Sequence, residues 1–160
     1  MVVDFEFKRI PGATVASLLY VGPWRENHLR KEFLQLVAWA RKNKVRTGRW
    51  FFLELDGPNS RKPDRLRRWE AALEIKGTAK PAGRIRIKRL PAETVARVLF
   101  DPDEVSPRVI YHGLTDWLSW RKKSGEVTRV GSTREMYEGD PWTNPWAWSR
   151  AQVQVLVEKK

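Results

Sequence analysis

The strongest constraint on this chain is that it repeats itself. Phe7-Lys8-Arg9-Ile10-Pro11-Gly12-Ala13-Thr14-Val15-Ala16 lines up without a gap against Ile87-Lys88-Arg89-Leu90-Pro91-Ala92-Glu93-Thr94-Val95-Ala96. Lys, Arg, Pro, Thr, Val and Ala recur at matched places, and the offset of 80 is half of the 160 residues. Two copies are too few for a solenoid, so the expectation is a single domain over 1–160 made of repeat 1 (1–80) and repeat 2 (81–160).

Each copy reads the same way. Val3, Phe5 and Phe7 alternate with Asp4, Glu6 and Lys8, and Ile85 and Ile87 alternate with Arg84, Arg86 and Lys88. Period two predicts a half-buried strand. A corner at Pro11 or Pro91 leads into a second strand, Thr14 to Val21 or Thr94 to Phe100. A helix follows. Leu29, Phe33, Leu36, Val37 and Ala40 keep helical spacing in copy one, and Ser106-Pro107 predicts a capped start for a helix running to Lys123 in copy two. Two strands close each copy, about 49–55 with 69–75 and 130–137 with 152–157. The loops Asp56–Leu66 and Gly139–Ser149 are rich in Pro, Gly and Asn. The predicted class is α+β: a tandem pseudo-twofold duplication of a strand-helix-strand-strand unit, with an antiparallel or mixed sheet and two helices on one face. A crevice is expected between the matched helices.

Composition narrows the chemistry. Cysteine is absent, which excludes disulfides, thiolate metal sites and cysteine nucleophiles, and His28 and His112 are the whole histidine supply. No cofactor and no metal site are expected. No window approaches the apolar length of a membrane span, and the charged N-terminus lacks the apolar core of a signal peptide, so no membrane association and a cytoplasmic location are expected. The net charge of +12 is dispersed, +8 over residues 1–80 and +4 over 81–160. A dispersed basic surface binds polyanions in a salt-dependent way without specifying a fold or a base readout. Arg65, Arg67 and Arg68 form the densest stretch, read as a solvated turn or a contact for an acidic partner.

The paired copies, the proline corner with its following Val-Ala, and the run Arg134-Glu135-Met136-Tyr137-Glu138-Gly139-Asp140-Pro141 resemble the GyrI-like small-molecule-binding domain. This is the effector-binding domain of AraC- and MerR-type multidrug regulators. The helix segment Tyr111 to Leu118 belongs to the same resemblance. It implies an aromatic ligand cleft between the copies with an acidic residue at the Glu135 position. In regulators such a cleft receives cationic, aromatic drugs. Some stand-alone members hydrolyse strained cyclopropane-type toxins, and others inhibit or protect DNA gyrase. The strand pattern starts at Val3 with no helix-turn-helix before it, so a stand-alone form without DNA binding in cis is expected, with a separate protein partner left open. Aligning Pro58 with Pro141 sets Phe52 opposite Glu135; a shift of one sets Leu53 there. Either way the acid is not duplicated.

Candidate residues carry a plain alternative beside the functional one. On sequence alone Glu135 reads as an exposed strand residue paired with Arg134 or Arg129; the resemblance makes it the cleft carboxylate and, in an enzyme, the catalytic acid–base with Tyr111. Tyr111, Tyr20 and Tyr137 are candidates to face the cleft, and Pro23-Trp24 to border it. Trp39 and Trp117 on the matched helices fit sheet packing as well as ligand contact; Trp50 and Trp120 read as packing. Trp142, Trp146 and Trp148, in PWTNPWAW, form either a lid over the cleft or a cluster that pins the loop. His112 reads as a weak base or an ordinary helix-surface residue. The expected function is to hold an aromatic or cationic xenobiotic or metabolite. The rival readings are hydrolysis of a strained electrophile at Glu135 and a basic interaction surface for nucleic acid or gyrase.

Overall fold

Alternation gives way to helical spacing at the same place in each half, and the elements follow. The computed structural model describes residues 3–57 and 60–160. Pro58, used in the repeat alignment, lies outside the described residues. The order is β1 (Glu6–Ile10), β2 (Ala13–Val21), α1 (Glu26–Lys42), β3 (Arg46–Glu54), β4 (Arg68–Lys76), β5 (Arg86–Leu90), β6 (Glu93–Phe100), α2 (Pro107–Lys123), β7 (Val127–Tyr137), α3 (Pro145–Trp148) and β8 (Ala151–Lys159). β-β-α-β-β thus occurs twice, and the fold is α+β. No helix among the described residues is long and apolar enough to cross a membrane.

The eight strands form one sheet in the order β1-β6-β8-β7-β3-β4-β2-β5, and every pairing is antiparallel. The copies exchange their first strands: β1 pairs with β6, and β5 pairs with β2. Neither half-sheet is complete without a strand from the other copy. The copies also meet at the centre, where β3 pairs with β7 through Trp50↔Tyr137, Phe51↔Met136, Phe52↔Glu135 and Leu53↔Arg134.

Two details differ from the sequence expectation. β1 begins at Glu6 rather than Val3, because the ladder starts at Glu6↔Arg97 and Phe5 sets its ring against Gly113 and Trp117. Ser106 holds the cap position of α2, but its hydroxyl makes no capping bond. Pro107 follows it and has no amide to satisfy.

Both helices lie on one face. α1 packs on β2, β3 and β4, and α2 on β6 and β7. The stripe Leu29, Phe33, Leu36, Trp39 and Ala40 buries α1, and Ile110, Leu114 and Leu118 bury α2. Phe33 is fully buried and stacks on Trp50 at 4.5 Å. Burial of such a side chain is worth roughly 1.5–3 kcal/mol. The helices occupy the two halves of the sheet, which leaves the central strands β3 and β7 accessible between them.

The other face is also covered, by curvature. Only Pro11 and Gly12 link β1, at one edge of the sheet, to β2, beside the other edge. The sheet must therefore curl until its edges approach. Register shifts in β3 and β7 assist the bend. Inside the curl Ala13, Val15, Phe51, Leu53, Ala72 and Met136 form a second, small core.

Candidate functional site

A cavity of about 490 Å³ lies over the central strands, between the helices. This is within the usual range for small-molecule pockets, about 300–1,000 Å³. Period two decides which residues of β7 reach it. Thr133, Glu135 and Tyr137 line the cavity; Arg134 borders it too, but its guanidinium lies over Phe51 on the opposite face, where Met136 also packs. β3 contributes Phe52 and Glu54 by the same rule.

Glu135 sits at the middle of the cavity floor. It is paired with neither Arg134 nor Arg129; Arg129 reaches Glu158 instead. Its partners are hydroxyls. Tyr111 Oη donates to Oε1 at 2.6 Å, and Tyr137 Oη donates to Oε2 at 3.1 Å. Among the described residues no cation lies within 4 Å of this carboxylate. Burial raises its pKa above the ordinary carboxylate range, and the two tyrosine bonds oppose that rise without cancelling it. Both phenols are pushed well above their usual range by burial and by the adjacent carboxylate.

Aromatic rings form the walls. Trp142 stacks on Phe52 at 5.6 Å and donates its indole N–H to Glu26 Oε1 at 3.0 Å. Trp148 lies parallel to Tyr137 at 6.4 Å and donates to Asp103 Oδ1 at 3.0 Å. Trp24 meets Trp69 edge-on at 5.1 Å, and the Trp69 indole donates to the Gly22 carbonyl. The tryptophan loop is set by its own polar residues. Asp140 accepts from the Trp142 amide and the Thr143 hydroxyl, and Asn144 caps α3 through the amides of Trp146 and Ala147.

The electrostatics run against the whole-chain charge. In a protein of net charge +12, the cavity lining holds three glutamates, Glu26, Glu54 and Glu135, against one arginine, Arg134. Glu54 is paired with Arg67, yet burial still raises its pKa. Among the described residues no group of three or more His, Asp or Glu is arranged to hold a metal ion.

The structure brings Glu135, Tyr111, Tyr137 and Trp142 together around this cavity, with Trp24 and Trp148 at its wall. It does not bring the other candidates there. Tyr20 donates to the Pro23 carbonyl and packs edge-on against His28, 4.9 Å away. Trp39 is buried in the core under α1. Trp117 faces Phe7 of the exchanged first strand and Phe5 just before it, with Arg121 over its ring. Trp146 is 50% exposed on α3, under Arg150. His112 is exposed on α2. Sequence reasoning missed Glu26, Glu54, Trp69 and Phe100 as cavity residues. The strand alternation that places Phe52 and Glu54 on one face is the signal that points to Glu54.

No family model matches the chain. A DNA gyrase inhibitor of Citrobacter rodentium is 29% identical over 65 residues, 41% of each chain. The C-terminal domain of EcmrR superposes with a TM-score of 0.71 at 19% identity, over 100% of both chains. In the EcmrR–DNA complex the match covers 99% of this chain and 58% of that one, with a TM-score of 0.75 at 21% identity. The chain therefore spans about half the length of the full-length relatives it matches. A hydrolase from Listeria innocua superposes at 0.64, with 14% identity over 96% of this chain and 91% of that one. SAV2435 bound to tetraphenylphosphonium superposes at 0.54, with 6% identity over 97% of this chain and 94% of that one. An eight-stranded antiparallel sheet with two matched helices on one face, and these neighbours, give one conclusion: the chain has the GyrI-like fold.

Proposed function

We propose that this protein binds a lipophilic, aromatic cation in the cavity over β3 and β7, for sequestration or sensing. One observation carries the reading: Glu135, a carboxylate on the cavity floor, has hydroxyl partners and no basic one, among aromatic walls. Glu135 is half-buried; a negative charge largely withdrawn from water without a cation is costly, and a cationic ligand supplies the missing partner. Trp142, Tyr137 and Trp148 offer ring faces to the same ligand. Glu26 and Glu54 add acidic character to the walls. The tetraphenylphosphonium held by the structural neighbour SAV2435 is a compound of this class.

The test is titration with tetraphenylphosphonium, followed by tryptophan fluorescence and calorimetry, beside the neutral triphenylphosphine oxide. The expected outcome is saturable binding of the cation, weaker binding of the neutral compound, and at least a tenfold loss in Glu135→Gln. A tenfold loss corresponds to about 1.4 kcal/mol. Equal binding of both compounds sinks the reading.

A second reading has its own observation. The short bond from Tyr111 to a carboxyl group of raised pKa suits proton transfer, and one structural neighbour is a hydrolase. Here Glu135 takes a proton from a water molecule whose oxygen bonds to one ring carbon; the strained C–C bond breaks, and the carbon that keeps the electron pair receives that proton from Glu135. Consumption of a cyclopropane-bearing electrophile with turnover, abolished in Glu135→Gln, distinguishes it from binding alone.

A further inference from the structure

A second cavity lies on the opposite face of the sheet, inside the curl, with a volume of about 170 Å³. Its apolar wall comes from Leu53, Leu55, Leu90 and Leu156. Arg134 also lines it and is 7% exposed. The Arg134 Nε donates to Gln154 Oε1 at 2.7 Å, and the guanidinium lies over the Phe51 ring at 5.4 Å. Among the described residues no carboxylate lies within 4 Å of it, and no acceptor takes its two terminal nitrogens. The other charges nearby do not fill this role. Lys88 is paired with Glu70, Glu54 with Arg67 and Arg49 with Glu74, and Glu93 lies beyond ion-pair distance.

A guanidinium largely withdrawn from water gains from an acceptor, and its planar fork matches a carboxylate through two parallel bonds. The four leucines suit a short apolar body. The volume of about 170 Å³ is below the usual range for drug-sized ligands, about 300–1,000 Å³. A ligand of drug size does not fit. We propose that this second cavity is a binding site for a small organic monocarboxylate, with its carboxylate on the Arg134 fork and its aliphatic part among the leucines. Glu93 on the rim selects against a second negative charge. Glu54, Thr133 and Arg134 border both cavities, but the Arg134 guanidinium and the leucines lie on the face opposite the Glu135 carboxylate, because adjacent residues of β7 point to opposite sides of the sheet.

The experiment is calorimetric titration of the full chain with hexanoate and, separately, with hexanamide, which keeps shape and removes charge. Hexanoate should bind saturably at one site, at least tenfold more tightly than hexanamide. Arg134→Gln should abolish the difference, Glu93→Gln should tighten hexanoate severalfold, and Glu135→Gln should leave it unchanged. Equal responses to the two compounds, or undiminished hexanoate binding in Arg134→Gln, overturn the site. Tighter hexanoate binding in Glu135→Gln assigns the carboxylate to the other cavity and also overturns it. If Arg134→Gln does not fold, guanidinium resonances of the unmodified protein decide: hexanoate, and not hexanamide, must shift those of one arginine. A spectrum unmoved by hexanoate overturns the proposal.

Discussion

Phe52 and Glu135 are cross-strand partners, one from each copy, at the centre of the sheet. Of the two registers open in the sequence, the one that aligns Pro58 with Pro141 also matches these two residues. Matched residues of two copies become direct neighbours only where the pseudo-twofold axis passes between them. The axis therefore emerges at the cavity floor, with a benzyl ring on one side and a carboxylate on the other. A second acid at position 52 would bring two like charges into contact, and one of them would be forced neutral. The asymmetry of the floor follows from the symmetry of the scaffold.

Glu135→Gln should stabilise the unliganded protein near neutral pH. Burial raises the folded-state pKa of Glu135, so the folded chain holds this proton more tightly than the unfolded chain does. The stabilisation from that proton is full below the unfolded value and is lost as pH rises through the folded value. Wild type should lose stability relative to Glu135→Gln as pH is raised above the ordinary glutamate range. The gap at neutral pH should be about 1 kcal/mol, the lower end of the cost of incompletely compensated polar burial. Denaturant midpoints of both proteins across pH 4 to 8 measure it, and parallel curves would refute it.

Tyr111→Phe should move the pH dependence of cation binding upward. The Tyr111 hydroxyl donates to the ionised carboxylate at 2.6 Å and holds down its pKa. Without that donor the group ionises at higher pH, and a cation competes with a more firmly held proton. Affinity for tetraphenylphosphonium, measured from pH 5 to 9, should reach its plateau later in the variant. A plateau at unchanged pH would mean that the hydroxyl does not act on Glu135.

Much of this arrangement was legible in the sequence, for identifiable reasons. The duplicated segment gave the order of elements, and period two in Arg134–Tyr137 separated the two faces of β7. Trp39 shares its helical stripe with Phe33, Leu36 and Ala40, and that stripe already points to the core. Other features depend on pairing between copies. Trp117 stands one position from the buried stripe of α2, and its partners Phe7 and Phe5 arrive on, and just before, the strand exchanged from the other copy. Glu26 comes to the cavity because Trp142, far along the chain, donates to it. No local pattern marks such contacts. They exist because β3 and β7 pair and the sheet curls.

Glu74→Gln should cost about 2–3 kcal/mol, the scale of removing charged hydrogen bonds from a buried group. Burial alone would raise the pKa of Glu74. The Arg49 side chain and amide, with Lys76 beyond them, bring it down to about 2. The pair contributes stability above the ordinary glutamate pKa and loses it as pH falls toward that value of about 2. Wild type and Glu74→Gln should therefore converge in stability on acidification, the opposite trend from Glu135→Gln. Urea melts at pH 7 and pH 3 test both signs, and a gap undiminished at pH 3 would contradict the assignment.

Gly12→Ala should destabilise the fold through the corner that closes the curl. A methyl group on Gly12 would stand 2.7 Å from the Leu90 carbonyl oxygen and 3.1 Å from the Ala92 amide nitrogen. Both are backbone atoms of the matching corner in the other copy. They cannot swing aside as a side chain would, so the two corners must separate. Separation loosens β1 on β6 and β5 on β2, and it opens the small core inside the curl. The expected loss is about 1–3 kcal/mol, the usual range for overpacking. Hydrogen exchange should show faster exchange at the ends of β1 and β5, with the centre of β3 and β7 still protected. Uniform acceleration across the sheet, or no loss of stability, would mean that the corner contact does not hold the curl closed.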